Sequence, residues 1–318
     1  MPSLIESRKG GSRSSETFRI SGHQTFALRI AWIPKAVREI SGRGDPFTDV
    51  DEGIVRMGLG KNMVESLRVW IEAFQVASKG EDGWRLTPIA ELVFGKDGLD
   101  QFMEDATTAW LLHWLIATNR HAPFFAWECM FNRWPSNEFN ASAVIAAFRR
   151  HSDQNPHPAS TITLKQHWEV FLNTYRPPRI GRGEDNLDSA LSVLRLIRQI
   201  GERPDQAGRW EPVYAFDTGM KSGLSQQLFA FFLNDWWDKC YPEEKTIPFR
   251  EVINSRCSPG RMLKLSETEI ALRLSDLAVR QRKVYFVTDS ANLRQIGRAG
   301  PIDWIGALQA AYTSPTFL

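Results

Sequence analysis

The chain has 318 residues, of which 42% are hydrophobic and 24% are charged, a composition typical of an ordinary globular protein. A chain of this length is too long for one small core, so it predicts two or three domains. The net charge of only +2 excludes a uniformly basic protein. Any contact with nucleic acid would therefore depend on a local concentration of positive charge.

Cysteine content and hydropathy bear on the compartment. Cys129, Cys240 and Cys257 are far apart and odd in number, which favours reduced thiols in a cytoplasm over a disulfide framework. Residues 1–17 are polar and basic without the apolar segment of a signal peptide, so we expect a disordered leader there. No apolar run reaches the length of a membrane span, and we predict a cytoplasmic protein with no membrane partner.

Residues 18–35, with the sequence FRISGHQTFALRIAWIPK, combine polar and aromatic side chains around one glycine and one proline. Phe18 and Ile20 alternate with polar residues, which predicts a short strand with one buried face. Pro34 suits the first turn of a helix, which we place at residues 33–40.

His23, Gln24 and Thr25 would then lie at the turn between this strand and this helix. Polar groups at such a junction can be aimed at a ligand by a rigid frame. The alternative is that His23 and Gln24 satisfy buried backbone groups at a tight bend.

Residues 49–95 form the clearest structural module. Two helices are predicted at residues 49–57 and 61–74, joined by a glycine turn. A hairpin follows, with strands at residues 75–77 and from 84 onward, and a third helix is predicted at residues 87–95. That order is typical of a winged helix-turn-helix. The second helix would present Lys61, Asn62 and Arg68 on its polar face.

The middle of the chain is predicted to be mainly helical, and the proline-rich residues 152–159 mark a boundary. The predicted helices lie at residues 99–119, 141–150, 163–175, 186–200 and 225–239, with Asn186 or Asp188 as the cap of the fourth. Residues 210–216 are predicted to form a strand.

The C-terminal residues repeat the earlier order. The pattern predicts a helix at 248–256, a turn at 258–261, a helix that begins with the capping-box pair Ser266 and Glu269, and strands at 284–287 and 293–296. This is a second winged-helix candidate, although its sequence is too different from the first to be a repeat.

The predicted fold is a mainly α (α+β) one, a helical multi-domain protein with two winged helix-turn-helix modules and short β-hairpins. We predict a disordered leader, an N-terminal domain with the GHQTF motif and a winged helix, a helical middle domain and a basic C-terminal winged-helix domain. These cover residues 1–17, 18–151, 160–240 and 241–318.

Positive charge is concentrated near the C-terminus. Residues 245–300 contain eleven Lys and Arg against five Asp and Glu, so this segment carries +6 and the rest of the chain about −4. A basic winged-helix module on an otherwise acidic chain is typical of a nucleic-acid binder. The alternative is that both winged helices serve only as protein-docking modules.

Few residues suggest catalysis. No Cys/His cluster has zinc spacing, and neither a phosphate-binding loop nor a dinucleotide-binding glycine motif is present. Asp49 and Asp51 are carboxylates of the kind that hold Mg²⁺ or Mn²⁺, although helix capping also explains them and we favour it. His23 would act as acid or base near neutral pH, and Arg29 would pair with a phosphate.

The motif GHQTF at residues 22–26, followed by Arg29, Trp32 and Lys35 and by GLGKNMV at residues 58–64, resembles the bacterial domain family of unknown function numbered 4007. Members of that family look like the SspB component of single-stranded DNA phosphorothioation systems. The resemblance implies a DNA-nicking protein that works beside a cysteine desulfurase, an ATPase and a sulfur transferase in DNA modification and phage defence. It transfers no catalytic residue set to this chain.

Our hypothesis is therefore a DNA-binding nickase that uses a divalent metal, Mg²⁺ or Mn²⁺, in DNA phosphorothioation. The candidate catalytic residues are His23, Gln24 and Arg29, and the candidate metal ligands are Asp49 and Asp51. The candidate DNA contacts are Lys61, Asn62, Arg68, Arg261, Lys264, Arg282 and Lys283. The alternatives are a non-catalytic DNA-binding adaptor or regulator and a protein-only scaffold. A homodimer would suit a symmetric DNA site.

Overall fold

The computed structural model describes residues 18–155, 157–177, 189–205, 207–290, 293–300 and 302–313. The leader predicted at residues 1–17 lies outside these ranges. Asn186 and Asp188, the two candidates for one helix cap, also lie outside them. About half of the described residues are helical and the rest include three small antiparallel sheets, so the fold is a mixed α+β one.

The helices are numbered in chain order. They are α1 Trp32–Arg43, α2 Val50–Met57, α3 Lys61–Ala73, α4 Pro88–Phe94, α5 Ala106–Ala117, α6 Phe125–Trp127, α7 Ala141–Ser152, α8 Thr161–Tyr175, α9 Gln226–Cys240, α10 Phe249–Asn254, α11 Pro259–Leu263, α12 Glu267–Arg280 and α13 Trp304–Tyr312. A π-helix follows α6 at Glu128–Arg133, and a 3₁₀-helix lies at Ser192–Leu194.

The strands are β1 Ala77–Gly80, β2 Gly83–Leu86, β3 Glu138–Asn140, β4 Ile197–Pro204, β5 Trp210–Phe216, β6 Thr246–Pro248, β7 Tyr285–Ser290 and β8 Leu293–Arg298. They form a hairpin, β1-β2, and two three-stranded sheets with the orders β3-β5-β4 and β6-β8-β7. Every pair of neighbouring strands is antiparallel.

The predicted order of helix, glycine turn, helix and hairpin is confirmed in the N-terminal part. The Asp49 carboxylate caps α2, and Gly58 ends it with φ 61°, a conformation that favours glycine. The hairpin begins two residues later than predicted because α3 closes with a left-handed Gln75, φ 53°. The Val76 amide donates to the Ile71 carbonyl there, which is the bonding of a Schellman motif.

The core contains many aromatic side chains. Every residue of α5 is buried, so this helix runs through the interior. Most of the tryptophans are buried, among them Trp70, Trp114 and Trp127. Among the described residues, one connected cluster of buried hydrophobic side chains extends from Leu28 to Tyr312. Within the described part of the chain, no helix has the length and apolar character needed to cross a membrane.

The C-terminal elements also appear in the predicted order, with two differences. The segment from Ser258, predicted as a turn, is the short helix α11, capped by the Ser258 hydroxyl. β6 adds a third strand beside the predicted hairpin. The predicted cap of α12 is confirmed, because the Ser266 hydroxyl accepts from the Glu269 amide.

Three further local predictions are wrong. The helix predicted at residues 99–119 covers only Ala106–Ala117, and Asp105 caps its start. The described part of 186–200 is not an α-helix, because the chain turns at Arg195, φ 50°, and continues into β4. β4 pairs with β5 along seven residue pairs, and this tertiary pairing outweighs the local preference for a helix. The strand predicted around Phe18 and Ile20 is only an isolated bridge between Arg19 and Phe124.

Candidate nucleic-acid interface

The loop at residues 22–26 is anchored by a buried histidine. The His23 side chain is 2% exposed and lies between the rings of Trp70 and Phe124, whose centroids are 5.9 Å and 5.8 Å away. Its Nε2 atom lies 2.6 Å from Nδ1 of His167, a fully buried residue of α8. Sequence reasoning missed His167, because nothing local marks its pairing with a residue 144 positions away.

The hydrogen bonds assign the tautomers of both rings. The Ala126 amide donates to His167 Nε2 at 2.9 Å, so the neutral ring carries its proton on Nδ1 and donates it to His23 Nε2. His23 in turn donates from Nδ1 to the Gln24 carbonyl at 2.8 Å. Burial lowers the pKa of both histidines, which keeps the pair neutral. The contacts of His23 therefore agree with the alternative, in which this side chain satisfies backbone groups at a bend.

The same loop packs against α3. The Ser66 hydroxyl donates to the His23 carbonyl at 2.9 Å, and Trp70 Nε1 donates to the Phe26 carbonyl at 3.1 Å. Gly22 has φ 99°, and a Cβ atom there would lie 3.0 Å from a methyl group of Val69. The loop is thus held to the helix by backbone contacts and by a close approach that only glycine permits.

Gln24 and Thr25 are exposed above this buried anchor. Gln24 has φ 51°, a conformation that is uncommon for residues other than glycine and that persists only when the surroundings enforce it. Its side-chain amide donates to Glu65 of α3 at 3.1 Å. Such enforced conformations are frequent at binding sites. The conformation of Gln24 therefore favours the prediction that the loop presents polar groups to a ligand.

The predicted DNA contacts on α3 are all exposed. Lys61, Asn62 and Arg68 point away from the helix face that Val64, Leu67 and Ile71 bury. We call the exposed side chains of Gln24, Thr25, Lys61, Asn62 and Arg68 the α3 surface. It combines residues of the GHQTF loop and of α3, which the hydrogen bond from Gln24 to Glu65 connects.

The remaining candidate catalytic and metal residues lie outside this surface. Arg29 is half-buried, forms a backbone bridge to Ser189 and lies 5.8 Å from the ring of Trp32. Asp49 caps α2, with its Oδ1 atom accepting from the amides of Asp51 and Glu52 at 2.9 Å and 3.1 Å. Their roles in catalysis and in metal binding stay predictions.

The described residues do not fit a protein-held metal centre. No three His, Cys, Asp or Glu side chains among them lie close enough together to hold a metal ion. The His113 ring donates from Nε2 to the Met262 carbonyl and accepts from Tyr175 at Nδ1, and burial lowers its pKa to about 4. His121 is exposed.

Part of the positive charge of residues 245–300 is neutralised by ion pairs. Four of the eleven cations form ion pairs: Arg256 with Glu128, Arg273 with Glu269, Arg280 with Asp276 and Arg298 with Asp238. Arg294 lies over the Phe249 ring and donates to the Ser275 hydroxyl. The excess of +6 therefore overstates the charge that a ligand would meet.

Two of the candidate DNA contacts in this segment make internal contacts. The guanidinium of Arg261 donates to the Asn132 carbonyl. The Lys264 amine lies over the rings of Phe216 and Phe131, 4.1 Å and 5.0 Å from their centroids. Burial, followed by the nearby Arg261, lowers the pKa of Lys264 to about 7. We therefore leave Arg261 and Lys264 out of the proposed interface.

Arg282 and Lys283 are exposed where β7 begins, and Lys245 is exposed where β6 begins. β6 starts level with Gly297 and β7 level with the adjacent Arg298 of the strand between them, which places the two starts about 10 Å apart. The sequence did not single out Lys245, because only the sheet register brings it near Lys283. The exposed acids at residues 243–244 reduce the net charge of this edge.

The fold and this site define a mixed α+β protein that presents an exposed polar helix face beside a histidine-anchored loop. The chain belongs to the DUF4007 family, a protein family of unknown function whose profile matches residues 20–306.

Two solved structures share this fold. One, described as "Magnesium ion-bound SspB crystal structure", is 23% identical with a TM-score of 0.79, over 91% of this chain and 85% of that chain. The other, described as "SspB crystal structure", is 23% identical with a TM-score of 0.78, over 92% and 85%. No curated protein matches the chain.

Proposed function

We propose that this protein binds DNA through the α3 surface and acts as the DNA-binding component of a DNA phosphorothioation system. The observation that carries the proposal is the exposure of Lys61, Asn62 and Arg68 on the second helix of a helix, glycine turn, helix and hairpin arrangement. In a winged helix-turn-helix the second helix enters the major groove, and we assign α3 to that role.

The side chains on α3 suit the two kinds of contact that such a helix makes. Lys61 and Arg68 would contact phosphates, which positions a protein on DNA, whereas Asn62 and Gln24 carry amides that read base edges. Glu65 already accepts from Gln24, so its carboxylate orients that amide.

The link to phosphorothioation rests on the shared fold with SspB structures and on the GHQTF motif. In such a system the partners would be DNA, a sulfur transferase and an ATPase, to which this protein would present a DNA strand. A homodimer would match a symmetric DNA site, and the mass in solution tests it.

Fluorescence anisotropy with a labelled DNA duplex tests the α3 surface. We expect a Lys61→Ala and Arg68→Ala double variant to bind about tenfold more weakly, with the slope of log K against log salt reduced by about 2. Lys165→Ala, at an exposed lysine of α8, is the matched control and should bind as the unmodified protein does. Equal affinity of the double variant and the control would contradict the proposal.

The C-terminal edge provides an internal comparison. An Arg282→Ala and Lys283→Ala double variant removes the same number of charges from the start of β7. We expect a smaller loss of affinity, because the acids at residues 243–244 already oppose these cations. A larger loss here than on α3 would move the interface to the C-terminal sheet.

Nicking of one DNA strand is the second candidate, favoured by the fold shared with a structure described as magnesium-bound SspB. His23, Gln24 and Arg29 are its candidate catalytic residues, and Asp49 and Asp51 its candidate metal ligands. Since the described residues show no metal cluster, we derive no chemical step from them.

Supercoiled plasmid with Mg²⁺, Mn²⁺ or EDTA separates the two candidates. Conversion to open circle that EDTA stops and that Asp51→Asn abolishes, while Asp97→Asn retains it, would support nicking. Both aspartates are exposed, so neither change should disturb the core. Binding without conversion under either metal would support the non-catalytic component.

A further inference from the structure

A cavity of about 280 Å³ lies between α7 and the π-helix segment and shares no residue with the α3 surface. On one side the cavity is lined by three alanines on one face of α7, Ala143, Ala146 and Ala147, whose small side chains leave this space open. Trp134 and Pro135 form part of the opposite side. The walls are therefore mainly apolar, as in most small-molecule sites.

Three basic side chains line the same cavity: Arg133 from the π-helix, and Arg150 and His151 from the end of α7. Burial lowers the pKa of His151, and the charges of Arg133 and Arg150 lower it further, so both guanidiniums lie within electrostatic reach of the imidazole. The His151 Nδ1 atom is buried and has no hydrogen-bond partner among the residues that the structure describes.

One acidic group lies near these cations. Glu128 accepts from Arg133 Nε at 3.1 Å and from Asn132 at 2.9 Å, and it also pairs with Arg256 at 3.2 Å. Its single negative charge is thus shared between two guanidiniums. With Arg150 added, positive charge remains in excess around the cavity.

The backbone that positions Arg133 is itself unusual. The Trp134 amide donates to the Cys129 carbonyl at 2.7 Å, which is the wide i to i+5 bond of a π-helix. π-helical turns are rare in proteins, and those that do form are often found at functional sites. Cys129 also lines the cavity, but burial raises its pKa to about 12, so it is a protonated thiol and not a nucleophile.

We propose that this cavity binds a phosphomonoester. Two guanidiniums and an imidazole supply N–H donors to a dianion with three terminal oxygens, and the alanine and tryptophan walls accommodate the attached organic group. The phosphomonoester belongs either to a free small molecule or to the 5′ end of a DNA strand. The cavity is separate from the α3 surface, so this proposal stands without the DNA-binding one.

Calorimetric titration of the full chain with inorganic phosphate tests the site, and Arg149 and Arg150 provide a matched pair of neighbouring exposed arginines. Only Arg150 lines the cavity. We expect Arg150→Gln to weaken phosphate binding about tenfold, the loss of one charge-assisted hydrogen bond, and Arg149→Gln to leave it unchanged. Ala146→Leu fills the cavity without changing charge and should weaken binding as well.

Two further ligands separate the sources. Deoxyadenosine monophosphate should bind more tightly than deoxyadenosine if the ligand is a free small molecule. A 5′-phosphorylated oligonucleotide should bind more tightly than its 5′-hydroxyl form if the ligand is a strand end. Absence of phosphate binding at millimolar concentration, or equal effects of Arg149→Gln and Arg150→Gln, would overturn the proposal.

Discussion

The imidazoles of His23 and His167 lie nearly parallel, with ring centroids 4.9 Å apart and an interplanar angle of 12°. Their hydrogen bond joins the GHQTF loop to α8 across 144 positions of sequence. Because both rings are also bonded to backbone groups, the pair holds the loop in place while Gln24 and Thr25 remain exposed. The histidine of the motif thus positions the polar residues that follow it.

Replacing His167 tests this structural role. We expect His167→Ala to lower the free energy of unfolding by about 3–5 kcal/mol, since it removes a buried ring and leaves His23 Nε2 and the Ala126 amide without a partner. Chemical denaturation followed by fluorescence measures it. His157→Ala, at an exposed histidine, is the control. A loss below about 1 kcal/mol would contradict the role.

The buried histidines predict acid sensitivity. The pKa values of His23, His113 and His167 are lowered in the folded protein, so the unfolded chain binds more protons and stability falls as the pH drops below about 6.5. His113, with a pKa of about 4, contributes a loss on the order of 3 kcal/mol by pH 4. Urea denaturation at several pH values between 7.5 and 4 measures it, and a constant free energy of unfolding would refute it.

Gly22 is expected to tolerate no side chain. Gly22→Ala places a Cβ atom 3.0 Å from Val69 on a backbone with φ 99°, and we expect it to lower the free energy of unfolding by about 1–3 kcal/mol. DNA affinity should fall with it, because the loop carries Gln24. Gly201→Ala is the control, since no atom lies within 4 Å of its added Cβ. Equal stability of the two variants would show that the close approach does not matter.

Lys264 is expected to behave as a core residue. Lys264→Met keeps the contacts with Phe131 and Phe216 but removes the buried amine, whose pKa is lowered to about 7. The free energy of unfolding at pH 7 should therefore be unchanged or higher. The unmodified protein should gain stability relative to Lys264→Met as the pH rises from about 7 towards 10, where the unfolded lysine loses its proton. DNA affinity should not change. A loss of affinity comparable to that of Lys61→Ala would return Lys264 to the interface.

Local signals in the sequence determined most of the helices. Asp49 and Ser266 were identified as helix caps because their short oxygen-bearing side chains bond the first free amides, a contact that needs no distant partner. The strand Trp210–Phe216 was predicted with the observed bounds. The GHQTF motif also identified the family without any structural information.

Only the tertiary structure decided which charges face solvent and which partners distant residues have. Lys61 and Lys264 are the same residue type and both were predicted to contact DNA, yet one is exposed on α3 and the other lies over Phe216. Residue composition gives the number of charged side chains. Whether each of them is buried or forms an ion pair depends on which elements pack against it in the fold. The bond between His23 and His167 arises in the same way, because it requires residues 144 positions apart in sequence to pack together.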